Sequence, residues 1–225
     1  MIIAKDTFTD TVNTELINHV PTIGTEWVSS GITAMDANFV INASNQCQIG
    51  AQYASLVGMA ISNVLPASQS LQFDYISKSG AGDCIFCFMA RCSGSGATFD
   101  SYVLFVNPTS NYYAVYCFLS GAYHSQVGTT ISETISACTF KMVLVGTSIK
   151  LYRDGVLKID TTDSHITTAG QVGIGFSASS GQVGTMIIDN LIAGDNDKSG
   201  EQIGGIAEVY GERYQISGKS EVFDG

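Results

Sequence analysis

The clearest pattern of apolar and polar positions lies between residues 139 and 193, where short alternating segments are separated by turn residues. Asp154 and Gly155 stand between two such segments. Asp-Gly in this setting predicts a two-residue hairpin, because a type I′ turn needs positive φ at both central positions. The region therefore predicts an antiparallel sheet. Its strands are predicted at Thr139–Val145, Ile149–Arg153, Val156–Asp160, Gly170–Phe176 and Thr185–Ala193.

The first 138 residues show the same alternation less regularly. One segment places Leu71, Phe73 and Tyr75 on a single strand face, and Trp27 is predicted to anchor an early strand in the core. Gln48–Val64 is ambiguous because Ala, Ser and Gly dilute its pattern. No segment has a sustained 3.6-residue apolar period, so very little helix is expected. Further strands are predicted at Ala37–Ile41, Ser70–Ser77, Cys84–Arg91, Tyr102–Asn107, Tyr112–Leu119 and Tyr123–Val127, after a start at Asp6–Asp10 and with a turn at Lys78–Asp83.

About a dozen short strands with frequent turns predict an all-β, antiparallel β-sandwich, in which each sheet buries one face against the other. The length of 225 residues fits one such domain. After Gly194 the alternating pattern stops, and a polar linker is followed by scattered apolar residues. We therefore expect a sandwich over residues 1–194 and a C-terminal arm over residues 195–225, which docks on the body or on a neighbouring subunit.

Composition and charge narrow the classes of partner. Hydrophobic residues make up 45% of the chain and charged residues only 13%, so the surface consists mainly of small polar residues. Such surfaces are typical of proteins that pack against neighbours or bind neutral polar ligands. The formal net charge of −10 disfavours nucleic acid and anionic membrane surfaces. The start of the chain lacks the features of a secretory signal, and no apolar run reaches the length of a membrane helix. We therefore expect folding in a cytosol, with prior removal of a signal as the alternative.

Several segments together resemble a known family. The Asp154-Gly155 hairpin, the segment GQVGIGF and the late Asp189-Asn190 are similar to the C-terminal half of laminin-G-like, concanavalin A-like lectin/glucanase domains. The opening DTFTD, with Trp27 further on, resembles the start of such domains in bacteriophage virion proteins. The resemblance covers about residues 6–194 and implies a concanavalin A-like jelly roll. It implies little about function, because lectins, hydrolases and structural modules share this sandwich.

The sequence contains no recognisable motif of catalytic residues. Glycoside hydrolases of this fold usually carry a Glu-x-Asp-x-x-Glu motif, since two carboxylates must flank the glycosidic bond. The three glutamates before residue 195 have no acidic partner at that spacing, and we expect Glu133 in a surface loop. The histidines are far apart in sequence, and no pattern marks a triad. We therefore predict that the protein is not an enzyme. The residues considered are Glu15, Glu26, Glu133, His19, His124 and His165.

The positions of cysteines and aspartates raise the question of zinc and calcium sites. Cys84 and Cys87 have a zinc-knuckle spacing, but a period of two places Cys84 and Cys92 on one strand face and Cys87 on the other, whereas zinc needs convergent thiolates. We expect all six cysteines to be free, mostly buried thiols. Calcium stays open, because many relatives bind it, although no dense acidic loop exists. Its candidate ligands near turns are Asp36, Asp83, Asp100, Asp163, Asp189 and Asp195.

A group of tyrosines crowds one predicted hairpin. Tyr112 and Tyr116 share one strand face, Tyr113 lies on the other, and Tyr123 begins the next strand. One of the two faces must be core, and alternation does not say which. Tyrosine rings pack well in cores and interfaces, and they also stack on sugar rings while the hydroxyl stays in water. Core or interface packing is the favoured interpretation. The alternative is a glycan or partner contact made by Tyr112, Tyr116 and Tyr123.

These observations lead to a ranked set of functions. The leading hypothesis is a non-enzymatic structural or adhesion protein of a virion, such as a capsid decoration, head-fibre or tail-fibre component. It would fold in the host cytoplasm and bind other virion proteins or copies of itself. The alternative is a carbohydrate-binding module or receptor-binding, lectin-like domain for a cell-surface glycan. A glycan hydrolase ranks last. No cofactor is predicted apart from the open question of calcium, and neither nucleic-acid binding nor membrane insertion is expected.

Overall fold

The computed structural model describes residues 1–31, 39–50, 57–80, 84–178 and 184–196. This part of the chain is almost entirely β-strand, with two 3-10 helices at Leu16–Asn18 and Gly96–Thr98, so the prediction of very little helix is confirmed. No helix within it has the length and apolar character needed to span a membrane. The strands are β1 (Ile2–Asp6), β2 (Trp27–Gly31), β3 (Phe39–Ile41), β4 (Cys47–Gly50), β5 (Val57–Leu65), β6 (Gln69–Ser79), β7 (Cys84–Ser93), β8 (Asp100–Asn107), β9 (Tyr112–Leu119), β10 (Ala122–Ser132), β11 (Cys138–Val145), β12 (Ser148–Arg153), β13 (Val156–Thr162), β14 (Gly170–Ala178) and β15 (Thr185–Asp195).

The strands form two antiparallel sheets. The eight-stranded sheet has the order β13-β12-β11-β6-β15-β4-β3, and β1 also pairs with β15. The seven-stranded sheet has the order β10-β9-β8-β7-β14-β5-β2. The sheets pack face to face: the ring centroid of Phe73 in the first lies 4.4 Å from that of Phe88 and 4.8 Å from that of Phe86 in the second. Burying each such side chain contributes about 1.5–3 kcal/mol. The predicted antiparallel β-sandwich is confirmed.

Local patterns predict the strand faces correctly in most of the chain. Leu71, Phe73 and Tyr75 all point into the core, as their alternation indicates. The predicted hairpin connects β12 and β13, with φ of 50° at Asp154 and 76° at Gly155. Trp27, 1% exposed, begins β2. The ambiguous segment Gln48–Val64 contains parts of two strands, β4 and β5, on either side of residues that lie outside the described part.

The predicted face of Cys92 is wrong. Strand β7 contains a register shift between Ala90 and Ser93, and Arg91 has a φ of 51°. A β-bulge inserts one extra residue, so the alternation changes sides beyond it. Cys92 consequently packs with Cys87 on the outer face of the sheet, whereas Cys84 lies in the main core.

The ends of the chain also differ from the prediction. The first strand is β1, at Ile2–Asp6, which is earlier than the expected start at Asp6–Asp10. It forms by pairing with residues 191–194 of β15, at the other end of the sandwich sequence, and local pattern does not reveal such a pairing. Strand β15 continues to Asp195. Residues 197–225 of the predicted arm, residues 37–38 of a predicted strand and residues 81–83 of a predicted turn lie outside the described residues.

Candidate functional site

The outer face of the seven-stranded sheet carries a second apolar cluster. In a sandwich an outer face is usually polar, because it meets water. Here β7 and β8 place Cys87 opposite Phe105 and Met89 opposite Val103 on that outer face. The buried members of the cluster are Cys87, Met89, Cys92, Phe99, Val103 and Phe118, and the partly buried side chains packed against them are Ile85, Phe105 and Tyr116. Because the first six side chains are almost fully buried, they form a second, smaller apolar core on this side of the sheet.

Three rings of this cluster, those of Phe105, Tyr116 and Phe118, form what we call the aromatic face together with the neighbouring ring of Tyr123. The centroids of Phe105 and Tyr116 are 4.8 Å apart, and those of Tyr116 and Tyr123 are 5.8 Å apart. Phe118 meets Tyr123 edge to face at 6.2 Å. These separations suit favourable aromatic pairs. Tyr123 lies on β10, the outermost strand of the sheet, and 59% of its surface is exposed to solvent.

The structure decides which tyrosines belong to the core. Tyr113 is fully buried between the sheets, packs edge-on against Phe140 at 5.2 Å, and donates a hydrogen bond of 2.5 Å to Glu133. Tyr116 lies on the outer face. Burial raises the pKa of Tyr116. Of the three tyrosines singled out from the sequence, Tyr116 and Tyr123 are in ring contact, and Tyr112 lies four residues before Tyr116 at the start of β9. A glycan or partner contact by these residues stays a prediction.

Two glycines, Gly58 and Gly173, lie beneath Met89 of this cluster, and we call them the glycine floor. The methyl carbon of Met89 lies over Gly58 and Gly173, where an added Cβ would stand 2.5 Å and 2.9 Å from it. A Cβ at Gly173 would also approach the carbonyl oxygen of Met59 to 2.3 Å. Glycine is therefore required at these places so that Met89 can pack against the backbone of β5 and β14.

Glu133 has a structural role. Its carboxylate accepts hydrogen bonds from Lys158 Nζ at 2.8 Å, from Arg153 Nη1 at 2.9 Å and from the Tyr113 hydroxyl. The bonds from Lys158 and Tyr113 lower the pKa of Glu133 to about 2. It lies just after β10, in the loop where the sequence analysis expected it, but its side chain is engaged by three donors. A carboxylate held ionised in this way is not suited to donate a proton as a general acid.

The predicted metal ligands are not gathered into a calcium site in the part of the chain that the structure describes. Asp36 and Asp83 lie outside that part. Asp100 accepts a hydrogen bond from the Ser120 backbone N–H, and Asp163 accepts one from the Tyr102 hydroxyl. Burial raises the pKa of Asp189, beside a second carboxylate, Asp74, on β6. Calcium binding stays a prediction.

Cysteine thiols are poor candidates for zinc. All six are free and buried, as expected, and Cys84 and Cys87 lie on opposite faces of β7. Within the described residues, the metal-donor side chains that come together in a group of three are Cys117, Asp163 and His165, whose donor atoms lie within 4.8 Å of one another. Burial raises the pKa of Cys117 to about 12, so its thiol stays protonated.

Similarity to known proteins is found at the level of structure. No protein-family model matches the sequence, and no curated protein matches it. The fold is similar to the carbohydrate binding module CBM66 from Bacillus subtilis, with a TM-score of 0.56, 18% identity, and coverage of 72% of this chain and 94% of that one. It is similar to the Bacillus licheniformis beta-glucanase, with a TM-score of 0.57, 13% identity, and coverage of 83% and 99%.

A third similar structure is the exoplasmic/lumenal domain of VIP36 in a Ca²⁺/Man3GlcNAc-bound form, with a TM-score of 0.55, 12% identity, and coverage of 84% of this chain and 92% of that one. The fold is a concanavalin A-like jelly roll. At these levels of identity the comparisons establish the architecture that the sequence resemblance implies. Among these neighbours are a carbohydrate binding module, a glucanase and a domain with Man3GlcNAc bound, so the fold is compatible with both binding and hydrolysis.

Proposed function

We propose that this protein binds a neutral glycan on the aromatic face, with Tyr116 and Tyr123 as the stacking rings. The observation that carries the proposal is the position of Tyr123: its ring is 59% exposed, yet it is held by contacts with Tyr116 and Phe118. A ring fixed by its neighbours loses little conformational freedom when a sugar stacks on it.

The chemistry of the chain supports a neutral ligand. With a formal net charge of −10, the protein repels acidic polysaccharides. The exposed ring of Tyr123 and the partly buried ring of Tyr116 suit the apolar face of a pyranose, because tyrosine stacks on sugar rings while its hydroxyl stays in water. The carbohydrate binding module and the VIP36 domain among the structural neighbours favour this interpretation over the virion role that the sequence analysis ranked first.

We further propose that binding occurs without cleavage. Glu133 is engaged by Tyr113, Arg153 and Lys158, so its carboxylate is not free to serve as one of a catalytic pair. Hydrolysis on this face would need two carboxylates flanking the scissile bond. A polysaccharide incubated with the protein should therefore release no new reducing ends.

The binding test is a screen of neutral polysaccharides and a glycan array, followed by calorimetry with the best ligand. Tyr123→Ala and Tyr116→Ala should each weaken binding about tenfold, the equivalent of about 1.4 kcal/mol. Tyr152→Ala is the matched control, since Tyr152 lies on the outer face of the eight-stranded sheet, opposite Lys141. Absence of binding across the screen, or equal effects of the control and the two variants, would contradict the proposal.

A place in a virion stays a prediction, and the comparisons bring no support for it. The sequence analysis assigns assembly to the C-terminal arm, most of which lies outside the described residues. Deleting residues 196–225 should abolish assembly with other virion proteins or with copies of the chain, and leave the sandwich folded. Normal assembly by the truncated protein would show that the arm is not responsible.

A further inference from the structure

Two histidines meet at one margin of the sandwich, and one of them, His124, directly follows Tyr123 in β10. Nε2 of His124 lies 3.0 Å from Nε2 of His165, and the ring centroids are 4.3 Å apart. His124 occupies a register shift in β10, between Tyr123 and Ser125, and a bulge of this kind turns a side chain toward a new direction. His165 follows the end of β13 and is 42% exposed at its side chain. Both imidazoles are thus accessible from solvent.

A chain of hydrogen bonds fixes the orientation of His165. Its Nδ1 lies 2.9 Å from Oδ1 of Asp163, and its backbone N–H donates to the same oxygen at 2.9 Å. Asp163 in turn accepts a 2.5 Å hydrogen bond from the Tyr102 hydroxyl. A neutral His165 that donates Nδ1–H to the carboxylate leaves Nε2 as its unprotonated nitrogen, and this is the nitrogen that faces His124. A carboxylate that orients a histidine in this way is the usual outer partner of a metal-ligating imidazole.

The loop that carries His165 is fixed by hydrogen bonds at the next residue, Ile166. The backbone N–H of Ile166 donates to the Tyr102 hydroxyl at 3.1 Å, and its carbonyl accepts from Nη1 of the buried Arg91 at 2.5 Å. Metal sites need donors that are in place before the ion arrives, because reorganising a loop lowers affinity. The two hydrogen bonds at Ile166 supply that support.

The spacing of the two nitrogens suits one metal ion. Metal–nitrogen bonds of about 2.0–2.1 Å place two imidazole nitrogens about 2.9 Å apart at a right angle and about 3.4 Å apart at the tetrahedral angle. The observed 3.0 Å separation falls inside this range. Beside His165 an open cavity of about 290 Å³ is lined by Thr147, Thr162, Asp163 and Ser164, which leaves room for water ligands.

We propose that His124 and His165 form a site for a divalent transition-metal ion, such as Cu²⁺ or Zn²⁺, with Asp163 as the positioning residue of His165. Imidazole nitrogen is a preferred donor for both ions, and Cu²⁺ binds more tightly than Zn²⁺ to a given set of such donors. The remaining coordination positions face the cavity and are taken by water. The third histidine of the chain, His19, is buried elsewhere and does not compete.

Titration of the full-length protein with Cu²⁺ and with Zn²⁺ tests the site. Calorimetry should give one ion per chain, and the electron paramagnetic resonance spectrum of the Cu²⁺ form should show coupling to two imidazole nitrogens. His124→Gln and His165→Gln should each remove one coupled nitrogen and weaken binding at least about tenfold. Asp163→Asn should keep both nitrogens and weaken binding about 10–100-fold, the usual effect of losing an outer partner.

The control is Ser125→Ala, which alters the other neighbour of His124 in β10 and leaves both imidazoles in place, so it should bind metal as the wild-type protein does. Unchanged thermal melting of each variant establishes that it is folded. The proposal is overturned if the double variant His124→Gln/His165→Gln binds Cu²⁺ as tightly as the wild-type protein, or if the wild-type spectrum shows fewer than two coupled nitrogens.

Discussion

The indole Nε1–H of Trp27 donates a 2.8 Å hydrogen bond to Oδ2 of Asp6, and both side chains are buried. The other carboxylate oxygen accepts from the backbone N–H of Phe8 at 2.7 Å and lies 2.9 Å from Nε2 of His19. One carboxylate therefore joins β1, the turn that follows it, the end of the first 3-10 helix and β2. A charge is stable in such a place only because every oxygen is hydrogen-bonded.

Replacement of this carboxylate should be costly. Asp6→Ala leaves the donors of Trp27, Phe8 and His19 buried without an acceptor, and we expect a loss of about 3–5 kcal/mol in the free energy of unfolding, measured by urea denaturation. Asp10→Asn is the control, since Asp10 contacts the same histidine from a more exposed position, and it should lose clearly less. Similar losses for the two variants would contradict this account of Asp6.

The stability contributed by His19 should depend on pH. Burial by itself lowers the pKa of His19, but hydrogen bonds to Asp10 and Asp6 outweigh it, and the net pKa is raised above 6.5. A raised folded-state pKa stabilises the protein fully below the unfolded-state pKa and ceases to do so as the pH rises through the folded-state value. The difference in unfolding free energy between the wild-type protein and His19→Gln should therefore be larger at about pH 5.5 than at about pH 8.5.

Urea denaturation of both proteins across this range measures the effect. Asp10→Asn should reduce the pH dependence, because it removes one of the two acceptors of the imidazolium. A constant difference between the wild-type protein and His19→Gln from about pH 5.5 to about pH 8.5 would show that His19 does not change protonation on folding.

The glycine floor makes a separate prediction. Gly173→Ala introduces a Cβ 2.3 Å from the carbonyl oxygen of Met59 and 2.9 Å from the methyl carbon of Met89. The backbone oxygen cannot move away without disturbing the β5–β14 pairing, so we expect a loss of about 1–3 kcal/mol. Thermal melting gives the comparison with Ser177→Ala, on the same face of β14, which should change stability by less than about 0.5 kcal/mol. Equal melting temperatures of the two variants would exclude close packing at Gly173.

Replacement of the buried Arg91 by lysine should lower the stability of the protein. Its guanidinium donates to the backbone carbonyls of Ala67, Ile166 and Gly146 from inside the protein. A lysine ammonium lacks the planar fork that reaches these carbonyls together, so Arg91→Lys should cost about 3 kcal/mol or more in urea denaturation. Lys150→Ala, which breaks the exposed ion pair with Asp160, should cost less than about 1 kcal/mol. Wild-type stability in Arg91→Lys would show that the three carbonyls do not need the guanidinium as their common donor.

Alternation within a strand was a reliable guide wherever the strand is regular. It separated Tyr113 from Tyr112 and Tyr116, and it placed Cys87 opposite Cys84. It failed at Arg91, because a single bulge moves the residues beyond it to the opposite faces of the sheet, and no residue pattern in that strand indicates the bulge. The bulge also explains why Cys92 joins the outer cluster.

The histidine pair shows the limit of sequence reasoning about sites. His124 and His165 are 41 residues apart and lie on different elements, so their approach depends on how β10 meets the loop after β13. The short spacing of Asp163 and His165 is the one local hint, because an aspartate that accepts from the backbone two residues later also reaches that residue's side chain. Nothing near residue 124 indicates its partner.

The period of two along β7 to β9 determines which side chains share a face, because neighbouring Cβ atoms on a strand must point in opposite directions. It cannot determine which of the two faces is buried between the sheets, since Phe86 and Phe88 on one face are matched by Cys87 and Met89 on the other, and both faces are apolar. Docking of the eight-stranded sheet makes that choice: Phe73 and Phe140 cover the first face, and the second, with Tyr116 and Tyr123, becomes the outer surface.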